Sequence, residues 1–439
     1  VKFYLSLLLL LCVAACDDLP DWMGDKEKPK LAGTRIDVLA ENNDIKPDNT
    51  IAQLAVSVPE LKANENWRQA GGSPQGMTGN LQLASIANHD RTRIGDGNGW
   101  TQPLYSLPII AGDTLYAMDA KGYITAHETL HIDKVKWTNK SAVTADEADI
   151  LGGGLAFDNG KLYVATGRGN AIALEAATGK ELWKINLTIP LRAAPKVSNG
   201  KVYYISVDNQ TFALDAEKGT QVWNQRGINE SAGFISSISP AVNDAVLIVP
   251  YSSGEIHAID TLSGQDIWTE LLLHNNHISA TSRFTGIGGN PIIYEDVVYV
   301  TGTNKFTAAF ALTSGRRLWV QDISSLNTPW VAGDFVYVLS TDSQLVCLTR
   351  SEGKIKWVRQ LPAFEDEEKH KKPYLWYGPV MADGKLIVAG LHGKLLQINS
   401  SNGATLSETE IPEHIIHPPI VAGNRLYFIT KDARLYVFY

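Results

Sequence analysis

Tryptophan recurs in this chain at a near-constant phase: Trp137, Trp183, Trp223, Trp268, Trp319 and Trp357 follow one another at intervals of 46, 40, 45, 51 and 38 residues. The residues around them repeat as well. One unit reads Asn159-Gly160-Lys161-Leu162-Tyr163-Val164, then Ile172-Ala173-Leu174-Glu175, then Thr178-Gly179-Lys180-Glu181-Leu182-Trp183. The next reads Asn199-Gly200-Lys201-Val202-Tyr203-Tyr204, then Phe212-Ala213-Leu214-Asp215, then Lys218-Gly219 and Val222-Trp223. A period of this length means stacked supersecondary units, none of which can bury its apolar face alone. Each unit holds four short alternating runs separated by Asn-Gly or Gly-Asp hairpins and a Thr-Gly or Lys-Gly turn, the pattern of four antiparallel strands. No stretch of helical period competes with them. The chain is therefore expected to be all-β, a β-propeller of four-stranded antiparallel blades.

The ends of the chain set the blade count. Six units end in the phased tryptophans, and a seventh covers residues 379–408 with Ser407 where Trp is expected. Residues 419–439 supply three further strands and then the chain stops. Glu65-Asn66-Trp67-Arg68-Gln69 carries a Trp with no blade ahead of it, so it is the candidate for the missing outer strand. Pairing this N-terminal strand with the C-terminal blade closes a ring of eight, rather than seven, and hides an otherwise open edge. The expected propeller spans residues 61–439. Trp67, Trp137, Trp183, Trp223, Trp268, Trp319 and Trp357 are read as structural: an indole on an outer strand lies between neighbouring blades where Ala173, Ala213 or Ala258 makes room. Cys347 falls at the phase of those alanines and reads as small core packing.

Ahead of the repeats, Lys2 precedes the apolar run from Phe3 to Val13, broken only by Ser6, and the run ends in Val13-Ala14-Ala15-Cys16. Residues 1–15 read as a signal segment, and its end resembles the lipobox of bacterial lipoproteins, which makes Cys16 the acylated first residue of the mature chain. Several acyl chains at about 0.8 kcal/mol per buried methylene suffice for stable anchoring. Residues 16–60, beginning with the acidic, Pro-containing stretch from Asp17 to Lys30, read as an acylated tether and linker. With Cys12 and Cys16 in the leader region, only Cys347 remains in the body, so no intramolecular disulfide forms.

Nothing in the residues announces catalysis. The net charge of −8 excludes a strong unspecific grip on nucleic acid. The pairs His127/His131, His274/His277 and His414/His417 have no Cys or carboxylate cluster to complete a metal site. Gly152-Gly153-Gly154 leads into a strand and offers no phosphate cradle. The charged run from Glu365 to Lys372 reads as a solvated loop, with a partner contact as its second reading. No metal and no cofactor are expected.

The Ala-Leu-Asp-Ala, Thr-Gly-Lys and Leu-Trp elements resemble the eight-bladed propellers of the pyrroloquinoline-quinone type. That scaffold serves quinoprotein dehydrogenases and the BamB family, propeller lipoproteins of the outer-membrane β-barrel assembly machinery. A dehydrogenase of this type implies an adjacent Cys-Cys pair, calcium-binding carboxylates and a catalytic Asp; this chain has no adjacent cysteines. The BamB-type resemblance covers nearly the whole mature chain and is nearest its alphaproteobacterial branch. It rests on the lipobox and tether, Gly33-Thr34-Arg35-Ile36-Asp37-Val38-Leu39, Trp67-Arg68-Gln69-Ala70-Gly71-Gly72, Pro190-Leu191-Arg192-Ala193-Ala194-Pro195, Thr328-Pro329-Trp330-Val331-Ala332-Gly333-Asp334 and the run from Gln360 to Lys369.

The resemblance implies a non-enzymatic periplasmic scaffold that docks on the POTRA domains of BamA, works with the other subunits of the BAM complex and helps deliver unfolded outer-membrane protein clients. It implies an outer-membrane location through the lipid anchor alone, although Asp17 resembles the inner-membrane retention signal of enteric bacteria. The family's docking patch maps onto Ile189, Leu191 and Arg192, with Arg192 expected as an exposed anchor among aliphatics. Two acidic positions of the patch map within Thr285-Gly286-Ile287-Gly288-Gly289-Asn290-Pro291, where Gly286 and Gly288 stand instead. A propeller that binds a small ligand or glycan in its central channel is the competing reading.

Overall fold

The computed structural model describes residues 45–97, 104, 106–143, 152–228, 237–272 and 286–439. Cys16, the tether before residue 45, His274, His277 and Thr285 lie outside the described residues.

Each sequence unit is one four-stranded antiparallel sheet. Blades 1 to 6 span residues 109–139, 153–186, 196–226, 241–271, 292–321 and 330–360, and blade 7 spans 376–410. Blade 8 combines Ile420–Ala422, Arg425–Ile429 and Arg434–Phe438 with His89–Arg93 as its outer strand. The eight-bladed propeller closed by an N-terminal strand is thus the observed fold.

The closing strand is not the expected one. His89–Arg93 pairs antiparallel with Arg434–Phe438, from His89 opposite Phe438 to Arg93 opposite Arg434. Trp67 instead exchanges both backbone hydrogen bonds with Ile110, at 2.8 Å each, on the inner strand of blade 1. Its indole is buried at the centre of the ring, so Trp67 is not one of the phased outer-strand tryptophans.

The other six behave as a set of bolts. Each indole passes over a small cross-strand neighbour in its own blade: Ala126, Ala173, Ala213, Ala258, Ala309 or Cys347. Its N–H then donates to a carbonyl of the next blade, for instance Trp183 to Ala216 at 3.2 Å and Trp268 to Leu312 at 2.7 Å. The ring face lands on the turn glycine of that blade. A Cβ on Gly219, Gly264, Gly315 or Gly353 would sit 2.6–2.7 Å from the indole, and all four have φ near +70°. The repeated Thr-Gly and Lys-Gly turns therefore exist for two reasons, backbone conformation and indole contact. Ser407 stands in place of the seventh Trp because blade 8 has no turn between its third and outer strands; those strands come from opposite ends of the chain.

Residues 64–84 form an inner belt that visits every blade in order. Arg68 O accepts from Phe157 N of blade 2, and the Gln69 amide exchanges two hydrogen bonds with Val197 of blade 3. Pro74 O accepts from Val242 N, Gln75 O from Ile293 N, Gly79 N donates to Val331 O, Leu81 O accepts from Asp383 N, and Ala84 N donates to Asn424 O. These partners all lie beside the first hairpin turn of their blades, so the belt covers that face of the ring. Residues 45–60 also pack on the propeller: Asp48 N donates to Ile355 O, and Lys356 Nζ to the carbonyls of Ile51 and Ala52. The compact unit begins at Ile45, earlier than the expected boundary at residue 61.

Candidate docking face and central channel

In a four-stranded antiparallel blade the outer strand ends, and the next blade begins, on the side opposite the first hairpin turn. All inter-blade connections therefore share one face, and the belt covers the other. The first strands surround a central cavity of about 340 Å³. Trp67, Ala70, Gly71 and Met77 of the belt line it on one side, and residues such as Leu107, Ser237, Asn290, Leu326, Tyr377 and His417 line it from the connection face.

Lys196 fixes the belt from blade 3. Its buried amine donates to the carbonyls of Ala70 and Ser73 at 2.5 and 2.7 Å, with no carboxylate among these partners, and burial pulls it down to about 7. Sequence reasoning missed this residue, because its two acceptors lie more than 120 positions away in the belt.

The segment expected to dock lies in the connection from blade 2 to blade 3. Ile189 is half-buried there. Leu191 and Arg192 are not exposed: they have 0% and 4% of their surface accessible. Backbone bonds explain this, because Leu191 N donates to Thr166 O of blade 2, while Arg192 N donates to Ile205 O of blade 3 and Val207 N to Pro190 O, which stitches the connection to both blades. The Arg192 guanidinium turns inward and donates to Pro250 O of blade 4, and burial pulls it down to about 10. The expected exposed anchor is thus a buried carbonyl cap. Gly152-Gly153-Gly154 packs against the same segment, where a Cβ on Gly152 would sit 2.6 Å from Arg192 O and one on Gly154 2.6 Å from Ala194 Cβ.

At the position of the missing acidic residues, a Cβ on Gly288 would lie 1.6 Å from Ser325 O. No side chain fits there, so the glycine reflects close packing of the connections that lead into blades 5 and 6. The run from Glu365 to Lys372 lies in a short exposed hairpin of Phe364–Asp366 with Lys371–Pro373, tied by Lys372 to Glu365 at 2.7 Å.

The remaining candidates are structural. His127 is buried with both ring nitrogens engaged, by Ile132 O at 2.8 Å and Thr125 Oγ1 at 3.0 Å. His131 is exposed, His414 meets Leu391 O at 3.0 Å, and His417 meets Leu104 O at 2.9 Å. Among the described residues, no group of three or more His, Cys, Asp or Glu side chains is placed to hold a metal ion. Cys347 is fully buried opposite Trp357, and burial pushes its thiol well up.

Comparison with known proteins places this architecture. The family described as outer membrane protein assembly factor BamB matches residues 120–359 and 367–438. The chain belongs to the BamB family. BamB of Salmonella typhimurium is 29% identical over 351 residues, which is 79% of this chain and 86% of that protein. The crystal structure of BamB from Moraxella catarrhalis superposes with a TM-score of 0.66 at 22% identity, covering 80% of this chain and 99% of that one. A quinohemoprotein alcohol dehydrogenase from Comamonas testosteroni superposes with a TM-score of 0.63 at 14% identity, covering 85% of this chain and 80% of that one, a likeness of fold.

The dehydrogenase likeness calls for a fit test. A quinone bearing several carboxylates and a calcium ion needs cations and carboxylates on the channel wall. Among the described residues, the cavity lining includes no Arg, Lys, Asp or Glu, and Cys347 is buried inside blade 6. The described lining of this channel does not fit that pair of groups.

Proposed function

We propose that this chain is a non-enzymatic periplasmic scaffold of the outer-membrane protein assembly complex. In this reading it is held to the outer membrane by acyl groups on Cys16, docks on the POTRA domains of BamA alongside other BAM subunits and assists the insertion of unfolded β-barrel clients. The single observation that carries it is the match to the BamB family over most of the propeller. The docking contact falls to the connection face, with half-buried Ile189 as the touching residue. Leu191 and Arg192, lying beneath, hold that connection in shape.

Membrane pull-down with mass spectrometry tests this. The wild-type chain brings down BamA, and Ile189→Glu, which sets a charge in an apolar contact, lowers its recovery about tenfold, the loss expected when an interface anchor worth about 1.4 kcal/mol is removed. Absence of BamA from the wild-type pull-down overturns the scaffold reading. Full recovery with Ile189→Glu overturns the docking site.

A further inference from the structure

Two aliphatic residues on segments adjoining Ile189 are more exposed than it is: Val207 and Ile228 have 41% and 59% of their surface accessible. Val207 N donates to Pro190 O at 2.9 Å, so the second hairpin turn of blade 3 abuts the connection that carries Ile189. Asn209, in the same turn, reaches Ile228 on the connection that leaves blade 3. Three neighbouring segments of the connection face thus each carry an aliphatic residue. Asp208 and Arg226 beside them face each other at 3.9 Å, which leaves little net charge in this region.

Ile228 is exposed, yet two buried side chains from different blades pin its backbone. Glu255 of blade 4, 7% exposed, accepts from Ile228 N at 2.8 Å. Asn209 of blade 3, 1% exposed, donates from Nδ2 to Ile228 O at 2.8 Å. Each is braced in turn. Ser253 Oγ donates to the same Glu255 oxygen at 2.8 Å, and Asn209 Oδ1 accepts from Ser252 N and Ser252 Oγ at 3.0 Å each. Gly227 N donates to Asn209 O at 2.9 Å, and a Cβ on Gly227 would lie 2.5 Å from the Tyr251 ring. Burying a carboxylate and an amide costs free energy that hydrogen bonds must offset. Here both groups are spent on a residue whose own side chain stays in water and adds little to the core. A partner gains from the arrangement, because an anchor whose backbone is already fixed loses little conformational freedom on docking.

We infer that Ile228 is the principal docking anchor among the described residues, with Val207 and Ile189 beside it, and that Asn209 and Glu255 are positioning residues that hold it in place. The occupant is the POTRA surface of BamA assigned to Ile189, because the three aliphatics lie on one continuous stretch of the connection face; that surface presents an uncharged apolar patch here. The inference rests on the scaffold reading above and names the residue that dominates its contact.

Biolayer interferometry of the mature chain carrying Cys16→Ser against full-length BamA in lipid nanodiscs tests it. Wild type binds saturably. Ile228→Asp weakens binding about tenfold or more, as loss of a dominant anchor does, and leaves the thermal midpoint unchanged because the side chain lies outside the core. Leu375→Asp alters a residue 49% exposed on the connection from blade 6 to blade 7, across the ring, and binds as wild type. Asn209→Ala weakens binding by itself but adds nothing in the Ile228→Asp background, a non-additivity that general loosening of the fold does not produce. Wild-type affinity in Ile228→Asp, an equal loss with Leu375→Asp, or additive effects of Asn209→Ala and Ile228→Asp overturns the inference and leaves the scaffold reading standing. No saturable binding by wild type overturns both.

Discussion

Adding one methyl group to Gly264 tests the bolt that joins blade 3 to blade 4. Gly264 has φ +75°, and its Cβ would lie 2.7 Å from Trp223 Cδ2, which belongs to an indole only 8% exposed. Gly200 supplies the matched control, with φ +73° and no atom within 4 Å of its Cβ. Gly200→Ala therefore carries only the left-handed backbone cost, about 1–2 kcal/mol. Gly264→Ala carries the same cost plus overpacking against the indole, about 1–3 kcal/mol more. Trp223→Ala removes the ring and costs about 3–5 kcal/mol by itself. In that background the added methyl has room, so Gly264→Ala falls back to the cost of Gly200→Ala, a coupling of about 1–3 kcal/mol. Guanidinium unfolding followed by circular dichroism measures all four variants. Equal costs for Gly200→Ala and Gly264→Ala, or no coupling to Trp223, would refute the idea that these glycines are indole seats.

Two titrating groups give pH signatures. Burial alone would raise Glu413, but hydrogen bonds from Arg434, Thr430 and Tyr436 outweigh it and hold the carboxyl below its usual value of 4.5. Its contribution to blade 8 is complete above that value and is lost as pH falls through the lowered folded value; thermal melts of Glu413→Gln should lack this acid-side loss. Lys196 is lowered as well, here by burial, from 10.5 unfolded to about 7 folded. Between those values the unfolded chain binds more protons, so stability rises with pH from about 7 to about 10. Urea unfolding should show wild type gaining on Lys196→Met across that window, and a constant gap would contradict it.

The blades were legible because each repeats a local rule: alternating strands, a positive-φ turn and an indole at fixed phase. What the sequence hid depends on partners far away in the chain. His89–Arg93 is polar and mostly exposed, with no apolar alternation, and becomes a strand only because Arg434–Phe438 offers an edge. The belt has no period because its bonds go singly to different blades. Trp67 misled because a tryptophan near a turn resembles the repeat, yet its backbone pairs at the centre. Within residues 189–192 the sequence located the connection but not its burial. Arg192 among aliphatics looks like a surface anchor until blade 4 supplies Pro250 O.

Ring closure is the claim on which the central channel and the single connection face both rest, and a cross-link tests it most directly. Arg91 and Tyr436 face each other in the closing pair, so Arg91→Cys with Tyr436→Cys in a Cys16→Ser chain should form a disulfide on mild oxidation, visible as a mobility shift that reductant reverses. A Cys pair joining Asn66 to Tyr436 should remain reduced. The opposite pattern would place Glu65–Gln69 at the outer edge of the last blade and contradict the closure described here.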